Sequence, residues 1–232
     1  WVTDSVVPHL AAGTKGREGI LVAAGADSVC WGCDAAGASA RAGGWGHVLG
    51  SEGSAFFLAR RALSAALRAY DGRGPKTSLV NRFLHRLALD DLGAVVEMIH
   101  QQEAIHPWIV ALAPLVVEAA LQGDRIANEL LDEAAGEHVA AVLAVYRRLH
   151  FPGALTVVAS GSLFEQTDVL LQRVRRLLAQ LLPDAEVVLR DVEPAIGACY
   201  LALRAVKGDP WPPDLEGEAA GDTGLDSHDD GR

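Results

Sequence analysis

The 232-residue chain is short of three things that define large functional classes. Basic residues are few: 20 Lys and Arg stand against 30 Asp and Glu, a net charge of −10. That balance argues against nucleic acid as a partner, because a phosphate backbone is held by clustered Lys and Arg. Cysteine is scarce, with three residues and no framework spacing, which suggests a reducing, cytoplasmic setting. Long apolar runs are missing too. The longest, Ile109 to Leu121, is interrupted by Pro114 and Glu118, so no segment reads as a membrane span. No basic start followed by a short apolar core marks a secretory signal, and no internal repeat is visible. The chain starts at Trp1 rather than Met, which reads as a fragment or a processed product.

What is present is an apolar half of the composition, enough for a sizeable core. Gly19–Ala24 is a continuous apolar run of strand length, and Gly25-Ala26-Asp27-Ser28 is a turn leading to a second strand, Val29 to Cys33. Asp34 to Ala42 reads as a loop. Helices are expected from Ser54 to Tyr70 and through most of Ser78 to Leu149. In that stretch Asp90-Asp91 caps one helix ending near Glu103, Pro107 opens another, and Asp124 caps a long one. Beyond it, a strand over 154–159, a helix from about Leu163 to Leu182, a strand over 185–189 and a helix opened by Pro194 form a βαβ unit with parallel pairing. Residues 208–232 are rich in acid, proline and glycine and read as a disordered tail.

The most specific segment is Gly43-Gly44-Trp45-Gly46-His47-Val48-Leu49-Gly50-Ser51-Glu52-Gly53-Ser54, five glycines in eleven residues ending at a helix start. Glycines let a backbone approach a ligand, and a helix start offers unpaired N–H groups to oxygen-rich molecules. The alternative is a tight turn that packs the helix against a strand. Its spacing carries one residue too many for the dinucleotide fingerprint. Gly13-Thr14-Lys15-Gly16 has no Walker pattern before it. Cys30 and Cys33 have redox spacing but lie three apart on a strand, on opposite faces, and read as buried thiols. The Glu97/His100 and Glu103/His106 pairs read as one solvated helix face, and no residue is assigned to a metal.

Residues 43–57, with Asp71-Gly72-Arg73-Gly74-Pro75 one helix later, resemble the N-acetylglucosamine kinases and the related BadF/BadG-type ATPases of the actin/hexokinase/chaperone superfamily. The resemblance runs from about Asp4 to Ala205. It implies an α/β fold, an actin-like ATPase (ribonuclease H-like) lobe with a large helical insertion over about 54–149. Residues 1–14 would be the remnant of an N-terminal lobe and 15–207 the C-terminal lobe. The implied reaction is ATP- and Mg²⁺-dependent phosphorylation of the 6-hydroxyl of N-acetylglucosamine. Asp4 would be the base, although an Asp before a short helix is also an ordinary N-cap. Ser28, Val29, Gly44, Trp45, Ser51 and Glu52 would line the sugar site. Gly25, Ala26, Gly161 and Ser162 would line the ATP site. Partners are the sugar and, as an option, a second copy of the chain. The chain departs from the family pattern at Ala26 and Asp27, where Thr and Gly are expected, and at Ser51, where Asp is expected. Asp27 puts negative charge beside phosphate unless it holds Mg²⁺. Those departures suit a rival, a non-catalytic member that binds sugar or a partner. A second rival is a BadF-type activator ATPase, a role that needs a Cys-ligated iron–sulfur cluster, for which Cys30 and Cys33 are poor candidates.

Overall fold

The computed structural model describes residues 5–208 apart from 103 and 191. Asp4, Glu103 and the acidic tail beyond 208 lie outside the described residues. A five-stranded mixed sheet in the order β3-β2-β1-β4-β5 organises the chain. Its strands are β1 (Gly19–Ala24), β2 (Ser28–Cys33), β3 (Ser39–Gly43), β4 (Leu155–Ser160) and β5 (Ala185–Leu189). β1 to β3 form an antiparallel meander, and β4 joins β1 in parallel, with Ala23 opposite Ser160. β5 extends the sheet in parallel beyond β4.

Alternation along the strands divides the core between two faces. Ile20, Val22, Cys30, Val157 and Ala159 point to the larger apolar cluster. It includes α2 (Ala55–Tyr70), α7 (Arg125–Tyr146) and α9 (Asp168–Leu181). Leu21, Trp31, Cys33 and Val158 point the other way, to α1 (Val6–Thr14) and α10 (Pro194–Val206). Cys30 and Cys33 are therefore free thiols on opposite faces, as their spacing predicts, and burial pushes the Cys30 thiol up.

Between β3 and β4 the described residues are helical apart from short connections. The helices are α2, α3 (Leu79–Leu87), α4 (Val95–His100) behind a 3-10 turn over Leu92–Ala94, α5 (Ile105–Val110), α6 (Ala113–Leu121) and α7. Asp124 caps α7 as expected, accepting from Ala127 N at 3.0 Å, and its second oxygen accepts from Ser78 N at 2.6 Å. These hydrogen bonds hold its carboxyl below the usual range despite partial burial. Among the described residues no single helix is long and apolar enough to cross a membrane.

Four expectations need correction. Ser39–Gly43 is an edge strand rather than a loop. It has no β-branched residue to announce it and forms because β2 supplies its hydrogen-bond partners. The single helix expected over 163–182 is two, α8 (Ser162–Glu165) and α9, divided where the Thr167 hydroxyl accepts from Val169 N. The helix opened near Pro107 also divides. α5 ends at Val110, and Pro114 takes a position in the first turn of α6, where its missing N–H costs nothing. Tyr70, on the apolar stripe of α2, is 47% exposed at the helix end and donates its hydroxyl to Asp91.

Two contacts fix the parts that matter for function. α1 and α10 meet at Gly197, where an added methyl would overlap the Pro8 carbonyl oxygen of α1. On the opposite face, His138 of α7 is buried, with its Nε2 at 3.1 Å from the Gly53 carbonyl and its ring 5.3 Å from that of Phe164. It ties the end of the glycine-rich loop to α7 and α8.

Gly197→Ala should therefore separate α1 from α10 and lower stability by roughly 1–3 kcal/mol, the usual cost of overpacking. Urea unfolding measures it; an unchanged midpoint would refute the close approach. Burial pulls the His138 pKa down to about 4 from 6.5, against the Gly53 hydrogen bond. The neutral ring is the folded form, so its stabilisation is complete above pH 6.5 and is lost as pH falls toward 4. That amounts to roughly 3 kcal/mol by linkage. His138→Gln should flatten the stability profile between pH 7 and 4, and a variant whose profile keeps the parent's slope would show that His138 is not the group responsible.

Candidate functional site

The parallel pairing of β1 and β4 sets their carboxyl ends side by side, the edge at which open α/β sheets bind ligands. Each strand ends in a turn without bulky side chains. Gly161, at φ +102°, is pressed so closely to β1 that an added methyl would come within 2.5 Å of the Ala24 carbonyl oxygen. The Ser162 hydroxyl lies 3.9 Å from where a Gly25 side chain would start. The four residues expected at the ATP site thus come from segments 135 positions apart and converge: Gly25 and Ala26 in one turn, Gly161 and Ser162 in the other.

The start of α2 does not behave as the sequence suggests. Its first free N–H groups are already used: Ala55 N donates to the Gly25 carbonyl at 2.9 Å, Phe56 N to the Ala26 carbonyl at 3.3 Å, and Phe57 N to the Ser54 hydroxyl at 3.1 Å. The expectation that this terminus offers them to a ligand is corrected. They clamp the β1–β2 turn onto the helix.

The glycine-rich loop closes on itself through Trp45 N to the Gly50 carbonyl at 2.9 Å and Gly50 N to the Gly46 carbonyl at 2.8 Å. At its far end Ser51 is buried. The Ser51 hydroxyl donates to Asp27 Oδ1 at 2.9 Å and accepts from Ser28 N at 3.2 Å, while the Ser28 hydroxyl donates to the Glu52 carbonyl at 2.6 Å. Two of the three departures from the family pattern, Asp27 and Ser51, are therefore in direct contact. An Asp at 51 would face the Asp27 carboxylate at hydrogen-bond distance, so a carboxylate at one position suits a hydroxyl at the other.

Two hollows flank this node. One, of about 330 Å³, is lined by Ser5, Asp27, Ser28, Val29, Arg41 and Gly44 among others. The second, of about 160 Å³, has Ser28 and Val29 in common with it and adds Glu52, Glu137 and His138. Of the six residues expected at the sugar site, Ser28 and Val29 line both hollows, Gly44 the first and Glu52 the second. Ser51 stands behind them, and Trp45 projects outward, 74% exposed. Asp4 lies outside the described residues, and Ser5 is in the wall of the larger hollow.

Four further groups stand at the site, of which Arg41 and Glu137 carry no signal in the sequence. Arg41, on the unexpected strand β3, donates to the Gly44 carbonyl at 2.7 Å and brings a cation to the hollow. Glu137 reaches the smaller hollow from α7, its carboxyl pushed up by burial and by the negative charges of Glu52 and Glu133. His47 and His106 stand beside Asp27. The His106 placement corrects the solvated-face reading. Glu97 and His100 are on α4, whereas His106 is on α5 and stacks on Phe56 at 4.9 Å.

A third cleft, of about 350 Å³, opens beside the Gly161 turn and is bounded by Ala55, Val110, Pro114, Val117, Ser162 and Leu163. Its apolar walls suit a flat base, so the adenosine half of ATP fits. The phosphate half would meet Asp27. Two like charges about 4 Å apart repel by roughly 1 kcal/mol in water and more in a drier site. Asp27 is a hard oxygen donor suited to Mg²⁺, so the residues present accommodate the nucleotide together with its cation.

Comparison with known proteins finds similar chains among sugar kinases. The N-acetylmuramic acid/N-acetylglucosamine kinase of Clostridium acetobutylicum is 33% identical over 194 residues, 83% of this chain and 63% of that protein. The N-acetyl-D-glucosamine kinase of Dictyostelium discoideum is 30% identical over 215 residues, 89% of this chain and 66% of that protein. The chain thus spans about two thirds of the length of these relatives. A crystal structure of a candidate N-acetylglucosamine kinase from Chromobacterium violaceum superposes with a TM-score of 0.67 at 28% identity, over 86% of this chain and 64% of that one. The model of the BadF/BadG/BcrA/BcrD ATPase family matches residues 6–202, from the first turn of α1 into α10, and the chain belongs to that family.

Proposed function

We infer that this chain supplies the amino-sugar site and one wall of the ATP cleft of a kinase acting on the 6-hydroxyl of N-acetylglucosamine or a close relative of it. The observation that carries the reading is the hollow running from Ser5 to Gly44, set beside the paired turns at Gly25 and Gly161. A hollow that presents a cation and hydroxyls beside a small-residue turn suits phosphoryl transfer, since that reaction depends on positioning and charge neutralisation.

In this reading Glu52 and Glu137 accept hydrogen bonds from sugar hydroxyls, with Ser28 between them. Hydrogen bonds to charged groups contribute about 1.5–3 kcal/mol each. Asp4 takes the proton of the attacking hydroxyl. Gly161 and Ser162 form the floor under the adenosine, and Mg²⁺-ATP, when bound, supplies the phosphoryl group. Arg41 favours a second sugar for the same site, one bearing a carboxylate, since it places a cation in the hollow. The Clostridium relative is named for one such sugar, N-acetylmuramic acid. The contact between Asp27 and Ser51 favours a different role for the chain, a non-catalytic sugar-binding member, because both residues depart from the kinase pattern.

In the full-length gene product, a coupled assay of ADP release with N-acetylglucosamine and N-acetylmuramic acid should show turnover. Asp4→Asn should lower kcat by about 10²–10⁴, the usual contribution of a general base, with little change in KM for the sugar. Unchanged kcat removes Asp4 from the chemistry. Titration calorimetry separates the readings: heat from sugar but none from Mg²⁺-ATP would identify the non-catalytic member. Glu137→Gln should weaken sugar binding about tenfold or more and leave ATP binding unchanged, and equal loss of both ligands would mean a folding defect instead.

A further inference from the structure

Asp27, His47 and His106 come from the β1–β2 turn, the glycine-rich loop and helix α5, and none of them belongs to the buried apolar clusters. One ligand-capable atom from each lies within 4.8 Å of the other two. His106 Nε2 is buried without a hydrogen-bond partner and stands 3.5 Å from Asp27 Oδ1. Ligands bonded at 2.0–2.2 Å in a tetrahedron lie about 3.3–3.6 Å apart, so this separation already matches two corners of such a site.

The surroundings hold the donors in place. The two imidazole rings lie 4.6 Å apart, tilted by 49°, and both rest on Phe56, His106 stacked at 4.9 Å and His47 edge-on at 5.1 Å. Ser51 donates to Asp27 Oδ1, the kind of outer hydrogen bond that orients a ligating carboxylate. We propose that Asp27, His47 and His106 form a binding site for a divalent transition-metal ion, with zinc as the expected occupant. Two imidazoles and one carboxylate select zinc, cobalt or nickel over magnesium and calcium, which prefer oxygen donors throughout.

Three protein ligands leave at least one coordination position open. Asp27 also lines the larger hollow, as does Gly46 next to His47, so an anionic or hydroxyl group there can complete the shell. The ion would also cancel the charge that Asp27 sets beside the phosphate turn. The site stands whether or not the chain takes part in a kinase reaction, because its readout is the metal itself.

The test uses untagged chain in a Cys199→Ser background, which removes the exposed thiol as a competing ligand. After chelator treatment the protein is titrated with zinc chloride by calorimetry and with cobalt chloride by visible absorption. One equivalent of each should bind, cobalt giving the intense bands of a four- or five-coordinate ion. Asp27→Asn, His47→Ala and His106→Phe should each weaken zinc at least tenfold. His106→Phe keeps a ring against Phe56, so its circular dichroism and melting should stay close to the parent's in the absence of metal. Zinc at a hundredfold excess over its Kd should raise the melting temperature of the parent and not of His106→Phe. No saturable binding near one equivalent, or a His47→Ala/His106→Phe double variant that binds zinc as tightly as the parent, would overturn the site.

Discussion

The parallel ladder between β1 and β4 is the contact on which the other features depend. It joins strands separated by more than 130 residues and sets their carboxyl ends level, Ala23 against Ser160. From that one register follow the closeness of the Gly161 turn to Ala24, the approach of Ser162 to Gly25, and the cleft between them and α6. A side chain at 161 would push the strands apart at the point where their ends must meet. Between β3 and β4 the described residues form the glycine-rich loop and then helices α2 to α7, of which α7 packs against one face of the sheet, leaving the strand ends open.

The chemistry of the site centres on a hydrogen-bonded node rather than on the glycines. Ser51 joins Asp27 to the Ser28 backbone, and Ser28 in turn holds the Glu52 carbonyl. The helix N–H groups that a ligand might have used are taken up in holding the turn. The glycine-rich loop shapes the hollow, while charge reaches it from elsewhere: Arg41 from an edge strand, Glu137 from a helix 85 positions beyond Glu52. A cation and three carboxylates around hollows of about 330 and 160 Å³ are suited to a ligand dense in hydroxyl and amide groups.

Asp27 connects the two halves of the site. It lies in the β1–β2 turn, accepts from the Ser51 hydroxyl, and stands with two imidazoles beside Phe56. A lone carboxylate there would oppose phosphate. The same carboxylate with a bound cation would attract it, and the sign of the local field therefore rests on what Asp27 holds.

The sequence alone determined what depends on near neighbours. The strand Gly19–Ala24, the hairpin with β2, the Asp124 cap of α7, the span of α3 and the closing βαβ unit all follow from periodicity, caps and turn residues acting over a few positions. The glycine-rich run is legible as a turn-forming loop ahead of α2 for the same reason. Tertiary structure alone decided the rest. Ser39–Gly43 became a strand because β2 offers it an edge, Thr167 and Pro114 each divided a helix where packing let a new first turn form, and Tyr70 left the apolar stripe for Asp91. The partners of Asp27 came from loops and helices 20 to 79 positions away. No local pattern encodes which distant side chain will face another, because that is set by the strand register and by the shape of the core between them.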